Sequence, residues 1–177
     1  MSKEMKIKIG YMESCFCKTM KTLTAERFEQ IITSPKVLET MSNIEQEPDA
    51  EKKSKLKEKL PVVFYACQMP DDGKRVLAET AKPSGLCMHD WDHMEVDPRD
   101  FYAANIAGRE EDLGIVLAHV TPRGEGLRLV TALSANETIA DAQKRLAAQF
   151  DMSHCADTKI KDLSRMSFLP SKDYIII

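Results

Sequence analysis

Two apolar runs, LGIVLAHVT and GLRLVTAL, flank the short loop TPRGEG at 121–126. Parallel neighbours need a crossover of roughly a dozen residues or more. Two strands this close therefore predict a hairpin, and the sheet that holds them is mixed or antiparallel. The rest of the chain after residue 60 is read around that hairpin. PVVFYAC is a β-prone run, and GLCMHDWD is a second one beyond the Asp-Gly turn in MPDDGK. VDPRDFYAANIAGRE reads as a helix entered through Asp97-Pro98. NETIADAQKRLAAQFD is amphipathic, with Ile139, Ala142, Leu146 and Phe150 on one face. RMSFLPS and YIII close the chain as short β-like pieces. The order β, β, α, β, β, α, β predicts an α+β sandwich, one mixed or antiparallel sheet with helices on one face.

Upstream, MKIKIGYM at 5–12 alternates as an opening strand. A helical pattern starts at the cap Thr24 and carries Phe28, Ile31 and Ile32; Pro35 divides or kinks it. EQEPDAEKKSKLKEKL is a solvated helix or linker; its lysines can meet phosphates, but a charge run is more simply a solvent-facing surface. The expected organisation is an N-terminal strand and helix extension, 1–45, packed on a domain at 46–177 as one structural unit. The apolar end DYIII is read as the edge of a domain cut from a longer protein.

Apolar residues make up 43% of the 177, enough for a core, and the net charge of −3 excludes a uniformly basic nucleic-acid binder while allowing a local basic face. No apolar run approaches the roughly 18 residues of a membrane span, and no signal peptide follows the N-terminal lysines, so a cytoplasmic protein away from membranes is expected. The five cysteines form no disulfide framework. Cys15 and Cys17 can hold zinc only with help from elsewhere, such as His154 and Cys155; buried thiols are the plainer reading.

Three stretches carry chemistry. In SGLCMHDWDHM, strand parity projects Asp90 and Asp92 to the same face and turns His89 and Trp91 away from it. Two adjacent carboxylates repel and are costly to bury unpaired. A divalent cation offsets that cost, and magnesium takes one or two carboxylates together with substrate phosphates. By itself the spacing also fits two solvated loop residues. His93 sits where the strand breaks, near enough to orient Asp92 or meet a phosphate. In TPRGEGLRLV, Gly124 and Gly126 let backbone N–H groups approach phosphate oxygens, and Thr121, Arg123 and Arg128 supply further donors; a plain hairpin loop is the competing reading. CADTKIKDLSRMSFLP adds Asp157, Asp162 and Arg165, read either as site residues or as surface salt-bridge formers.

Taken in order, KEKLPVVFYACQM, SGLCMHDWDHM, TPRGEGLRLV and CADTKIKDLSRMSFLPSKD resemble the segments of the VirE N-terminal group of primase-like domains, carried by bacterial mobile elements and placed in the archaeo-eukaryotic primase superfamily. The resemblance runs from about Lys52 to Asp173. It implies an RRM-like catalytic sheet joined to another α/β unit, and template-directed nucleotidyl transfer from nucleoside triphosphates on single-stranded DNA. It implies two Mg2+ or Mn2+ ions and a helicase-like domain beyond this chain. Carried over, Asp90 and Asp92 are the paired metal ligands, and Asp157 is the third acid with Asp162 as its rival. Thr121, Arg123, Gly124, Gly126, Arg128 and Arg165 then lie against the nucleotide phosphates. Arg123 stands where the family has a small hydroxyl residue, and Arg128 where it has lysine. The nearest candidate for the superfamily's second-motif histidine is His119. Two other readings stay open: a nucleic-acid-binding module without catalysis, and a metal-dependent nuclease.

Overall fold

The hairpin across TPRGEG forms. In the computed structural model, which describes residues 8–157 and 162–177, β5 (Ile115–Val120) pairs antiparallel with β6 (Leu127–Ala132), Ala118 facing Leu129 and Val120 facing Leu127. The loop closes through Thr121 N–H to the Gly126 carbonyl at 2.8 Å and Gly124 N–H to the Thr121 carbonyl at 2.8 Å. Gly124 has φ 83°, which a glycine adopts without a Cβ clash. β4 (Leu86–Trp91) pairs along the other edge of β6, giving the order β4-β6-β5.

The remaining strands do not join this sheet. β1 (Gly10–Met12), β2 (Lys21–Thr22), β3 (Val62–Phe64) and β7 (Ser167–Phe168) form a second sheet in the order β2-β1-β3-β7, again antiparallel throughout. The single sheet expected from the sequence is thus corrected to two. β3 and β4 are neighbours in sequence but are separated by the long segment 65–85, and β3 takes its partners from both ends of the chain. Of the opening strand expected at 5–12, residues 5–7 lie outside the described residues, and Gly10–Met12 is β1. YIII forms no strand; Ile175 makes one bridge to His119.

The helices follow their caps. Thr24 caps α1 (Ala25–Ile32), and Ser34 with Pro35 starts α2 (Pro35–Gln46), so the proline separates two helices. Asp49 caps α3 (Ala50–Lys57), Asp97 caps α4 (Pro98–Asn105), and Thr138 caps α6 (Ile139–Gln149) after the short α5 (Glu110–Leu113). Residues of α4 and α6 (Tyr102, Ile106, Leu146) pack on Trp91, Leu127 and Leu129, covering one face of β4-β6-β5. The opposite face carries Met88 and Val130, and it is covered too. Tyr11, Ile31, Val37, Met41, Ile44, Val63 and Leu169 share a core with them. Residues on both sides of position 45 therefore contribute to one core. No helix among the described residues is long and apolar enough to cross a membrane.

Candidate functional site

The alternation of β4 sets the site. Met88 and Asp90 face the second sheet; His89 and Trp91 face the helices. His89 is buried against Thr131, its Nε2 2.9 Å from Oγ1, and Trp91 meets Phe101 and Phe150 edge-on or tilted. Asp90 is only 8% exposed. Asp92 lies one residue past the strand and is half-buried. The segment after α6 runs back along this strand end. Asp92 N–H donates to the Cys155 carbonyl at 3.1 Å, Asp157 N–H donates to the Asp90 carbonyl at 2.9 Å, and Ala156 bridges Trp91. That short ladder brings Asp157 beside the two acids.

All three acids line one small cavity of about 130 Å³. The hairpin loop contributes Thr121, Pro122 and Arg123, and β6 contributes Arg128. The stretch leading into β7 contributes Arg165, Met166 and Phe168, and the end of α3 contributes Lys57. Three carboxylates thus meet four cations. Lys57 is the residue that sequence reading left in a solvated lysine run. Its ammonium lies 5.2 Å over the Phe168 ring. Nothing local distinguishes it from Lys52, Lys53 or Lys55, because only the packing of α3 turns one of them inward.

Arg128 faces Asp90 directly across the β4–β6 register. Its guanidinium donates to Asp90 Oδ2 and, at 2.8 Å, to Ser167 Oγ, tying the two sheets together. It is 8% exposed, so the residue sits as the buried partner of an acid rather than as an open phosphate contact. His119 continues the same row on β5. It is fully buried, donates through Nδ1 to the Val120 carbonyl at 2.8 Å, and does not reach the cavity wall. His93, at φ 54°, is exposed and lies 3.6 Å from Glu125, and it is not on the cavity wall.

The two glycines part company. Gly124 makes the turn and lines a different cleft, with Asp97 and Arg99. Gly126 sits against the site: a Cβ there would stand 2.6 Å from the Trp91 carbonyl oxygen, 2.8 Å from Asp92 Oδ1 and 3.1 Å from Thr121 Oγ1. The carbonyl belongs to β4 and cannot give way. Gly126→Ala is expected to cost about 1–3 kcal/mol and to push Asp92 aside; the melting temperature should fall, and a wild-type melting temperature would contradict it.

Asp162 is not on the wall. Its carboxylate accepts from the Ser164 N–H at 2.8 Å and from the Ser164 hydroxyl, closing a turn that leads to Arg165. Residues 158–161 of the same motif lie outside the described residues.

Burial, and then the neighbouring Asp90, hold the Asp92 carboxyl above its ordinary range, while Arg128 and Arg123 pull it down. Burial, and then Arg123 and Arg128, hold the Lys57 amine below its ordinary range. Several polar atoms of this region are buried without a hydrogen-bond partner among the described residues: Asp90 Oδ1, Thr121 Oγ1, Arg128 Nε, His119 Nε2 and Tyr65 Oη. Such atoms cost roughly 1–3 kcal/mol each when left unpaired, and three of them, on Asp90, Thr121 and Arg128, belong to residues that line the cavity.

The donor set suits a hard divalent cation. The acidic wall offers carboxylate oxygens with no thiol or imidazole, and one of them, Asp90 Oδ1, is unpartnered. Among the described residues no three His, Cys, Asp or Glu side chains stand in a metal-ligating cluster. Cys15 and Cys17 pack beside Met166 and Phe168, whereas Cys155 belongs to the core under the helices, so the zinc set considered from the sequence is not brought together.

The buried histidines give a pH dependence. Burial, and then Arg128, push His119 down to about 3, and burial pushes His89 down to about 4, from an ordinary 6.5. The unfolded chain takes up protons that the folded protein refuses. This contribution is therefore complete above 6.5 and is lost as pH falls, by up to about 1.4 kcal/mol per pH unit for each histidine. Urea midpoints should hold steady from pH 8 to 7 and drop below 6.5; a midpoint that rises on acidification would contradict the burial of both rings.

Comparison of the chain with family models, with curated proteins and with solved structures found no match.

Proposed function

We propose that this chain is a catalytic domain of the archaeo-eukaryotic primase class, performing metal-dependent, template-directed nucleotidyl transfer from nucleoside triphosphates. Within that class, the motif order resembles the VirE N-terminal group of mobile-element replication proteins, which work beside a helicase-like domain. The observation that carries the reading is the cavity in which Asp90, Asp92 and Asp157 meet Lys57, Arg123, Arg128 and Arg165. A wall with more cations than acids suits a triphosphate better than the single scissile phosphate of a nuclease, and a non-catalytic binder has no use for acids that repel phosphate. Support for an RRM-like sheet comes from the order β4, α4, β5, β6, α6 and then Ala156 bridging β4 from its free edge. Apart from the short α5, that order is similar to the antiparallel β-α-β-β-α-β arrangement, with a single bridge in the place of the last strand.

In this reading Asp90 and Asp92, with Asp157 beside them, hold Mg2+ or Mn2+. When bound, such ions lower the pKa of an attacking hydroxyl and offset charge on the leaving pyrophosphate. The chain's own residues do the rest. Arg123, Arg165 and Lys57 pair with phosphate oxygens, and the Thr121 hydroxyl donates to one of them. Gly126 lets the loop pack closely on the Trp91 carbonyl and Asp92, and Arg128 holds Asp90 in one rotamer. The test is primer synthesis on single-stranded DNA with labelled nucleotides and Mg2+ or Mn2+, run beside a lane without nucleotides. Product that depends on nucleotides supports the reading; strand cleavage without nucleotides, or no product in any condition, would sink it.

A further inference from the structure

Phe16 is 71% exposed, more than any other large apolar side chain among the described residues, and its surroundings are basic. It lies in a cleft of about 640 Å³ with Lys18, Lys74 and Arg75, and no carboxylate lines that cleft. An isolated exposed phenylalanine calls for no explanation; one ringed by three cations on a braced loop does. The bracing is explicit. Residues 18–20 pair with 73–75 through Arg75 N–H to the Lys18 carbonyl at 2.9 Å, Met20 N–H to the Gly73 carbonyl at 2.7 Å, and the Thr19–Lys74 bridge. The Arg75 guanidinium donates to the Cys15 carbonyl at 3.1 Å, and Cys17 N–H closes a turn on Ser14 at 3.2 Å. The ring is therefore held outward on a fixed turn. Lys74 also pairs with Asp72 at 3.3 Å, an exposed contact worth little.

The loop is next to the candidate site. The Cys15 thiol lies 3.4 Å from the Glu58 carbonyl, one residue beyond Lys57 of the cavity wall. Cys15 and Cys17 pack against the same buried cluster as Met166 and Phe168, which line the cavity wall. We propose that the Phe16 loop is a stacking platform for a base of single-stranded DNA, with Lys18, Lys74 and Arg75 on the adjoining phosphates. The identity of that strand as template rests on the primase reading. An aromatic face accepts any base, and a cationic rim tracks the backbone without reading sequence. A duplex hides the faces of its bases and cannot use the ring.

The test is fluorescence anisotropy with fluorescein-labelled oligo-dT of about 12 nucleotides, inside the site-size range of such surfaces, against a duplex of equal length and oligo-rU. Wild type is expected to favour oligo-dT over the duplex. Phe16→Ala should weaken oligo-dT binding by roughly tenfold, while Phe16→Trp should match or exceed wild type. Lys18→Ala with Arg75→Ala should lower the salt slope by about 0.7 for each cation removed. Phe16→Ala should keep its thermal unfolding and its Mn2+-nucleotide affinity, because the ring is outside both core and cavity. Oligo-dT binding unchanged by Phe16→Ala, or tighter binding of the duplex or of oligo-rU, would overturn the proposal. Failure of the primase reading looks different: no synthesis by wild type, with Phe16-dependent strand binding intact.

Discussion

An Arg128→Met protein is expected to unfold at a much lower urea concentration than wild type, with a loss of about 3–5 kcal/mol. Arg128 and Asp90 face each other across β4 and β6, and each is 8% exposed. The guanidinium also donates to Ser167 Oγ on the other sheet at 2.8 Å. Removing it leaves a buried carboxylate without its counter-charge and cuts a tie between the two sheets. Two charges buried together gain little over an apolar pair, whereas one left alone is costly. The double variant Asp90→Leu/Arg128→Met should therefore recover most of the lost stability. A loss in the double variant equal to the sum of the two single losses would mean that the two residues are not coupled.

The second large effect is on chemistry. Under the proposed function, Asp92→Asn is expected to lower nucleotidyl transfer by roughly 10²–10³-fold, the scale of several kcal/mol of lost charge stabilisation, while leaving stability close to wild type. Asp92 is half-buried and, unlike Asp90, has no ion-pair partner among the described residues. It carries a carboxyl already held above its ordinary range by burial and by Asp90. Neutralising it relieves repulsion as well as removing a ligand. That makes it a cleaner probe than Asp90→Ala, which would orphan Arg128 and confuse folding with activity. The readouts are extension product per unit time and the urea midpoint, measured on the same preparation. Full activity in Asp92→Asn would remove this acid from the site and with it the central support for the proposed function.

Much of the local structure was legible. The hairpin, the helix start at Thr24, the helix entry at Asp97-Pro98 and the break at Pro35 follow from residues within a few positions of one another. Strand parity also assigned Asp90 and His89 to opposite faces, and the structure has them so. What parity leaves open is what covers each face. Two sheets formed where one was expected, because the link between β3 and β4 is long enough to let β3 pair with β1 and β7.

The candidate site divides the same way. Residue types and spacing marked Asp90, Asp92, Thr121, Arg123, Arg128 and Arg165 as candidates beside solvated-loop, plain-hairpin and surface readings, and it was the resemblance that joined them into one site. Only tertiary packing decided that Asp157 and not Asp162 stands on the wall, that Lys57 turns inward from a run of lysines, and that Arg128 is engaged by Asp90. Asp90 and Arg128 are 38 positions apart. A side chain's partner at that distance depends on which strands become neighbours, and that choice is made by burial of the whole core rather than by the residues flanking it.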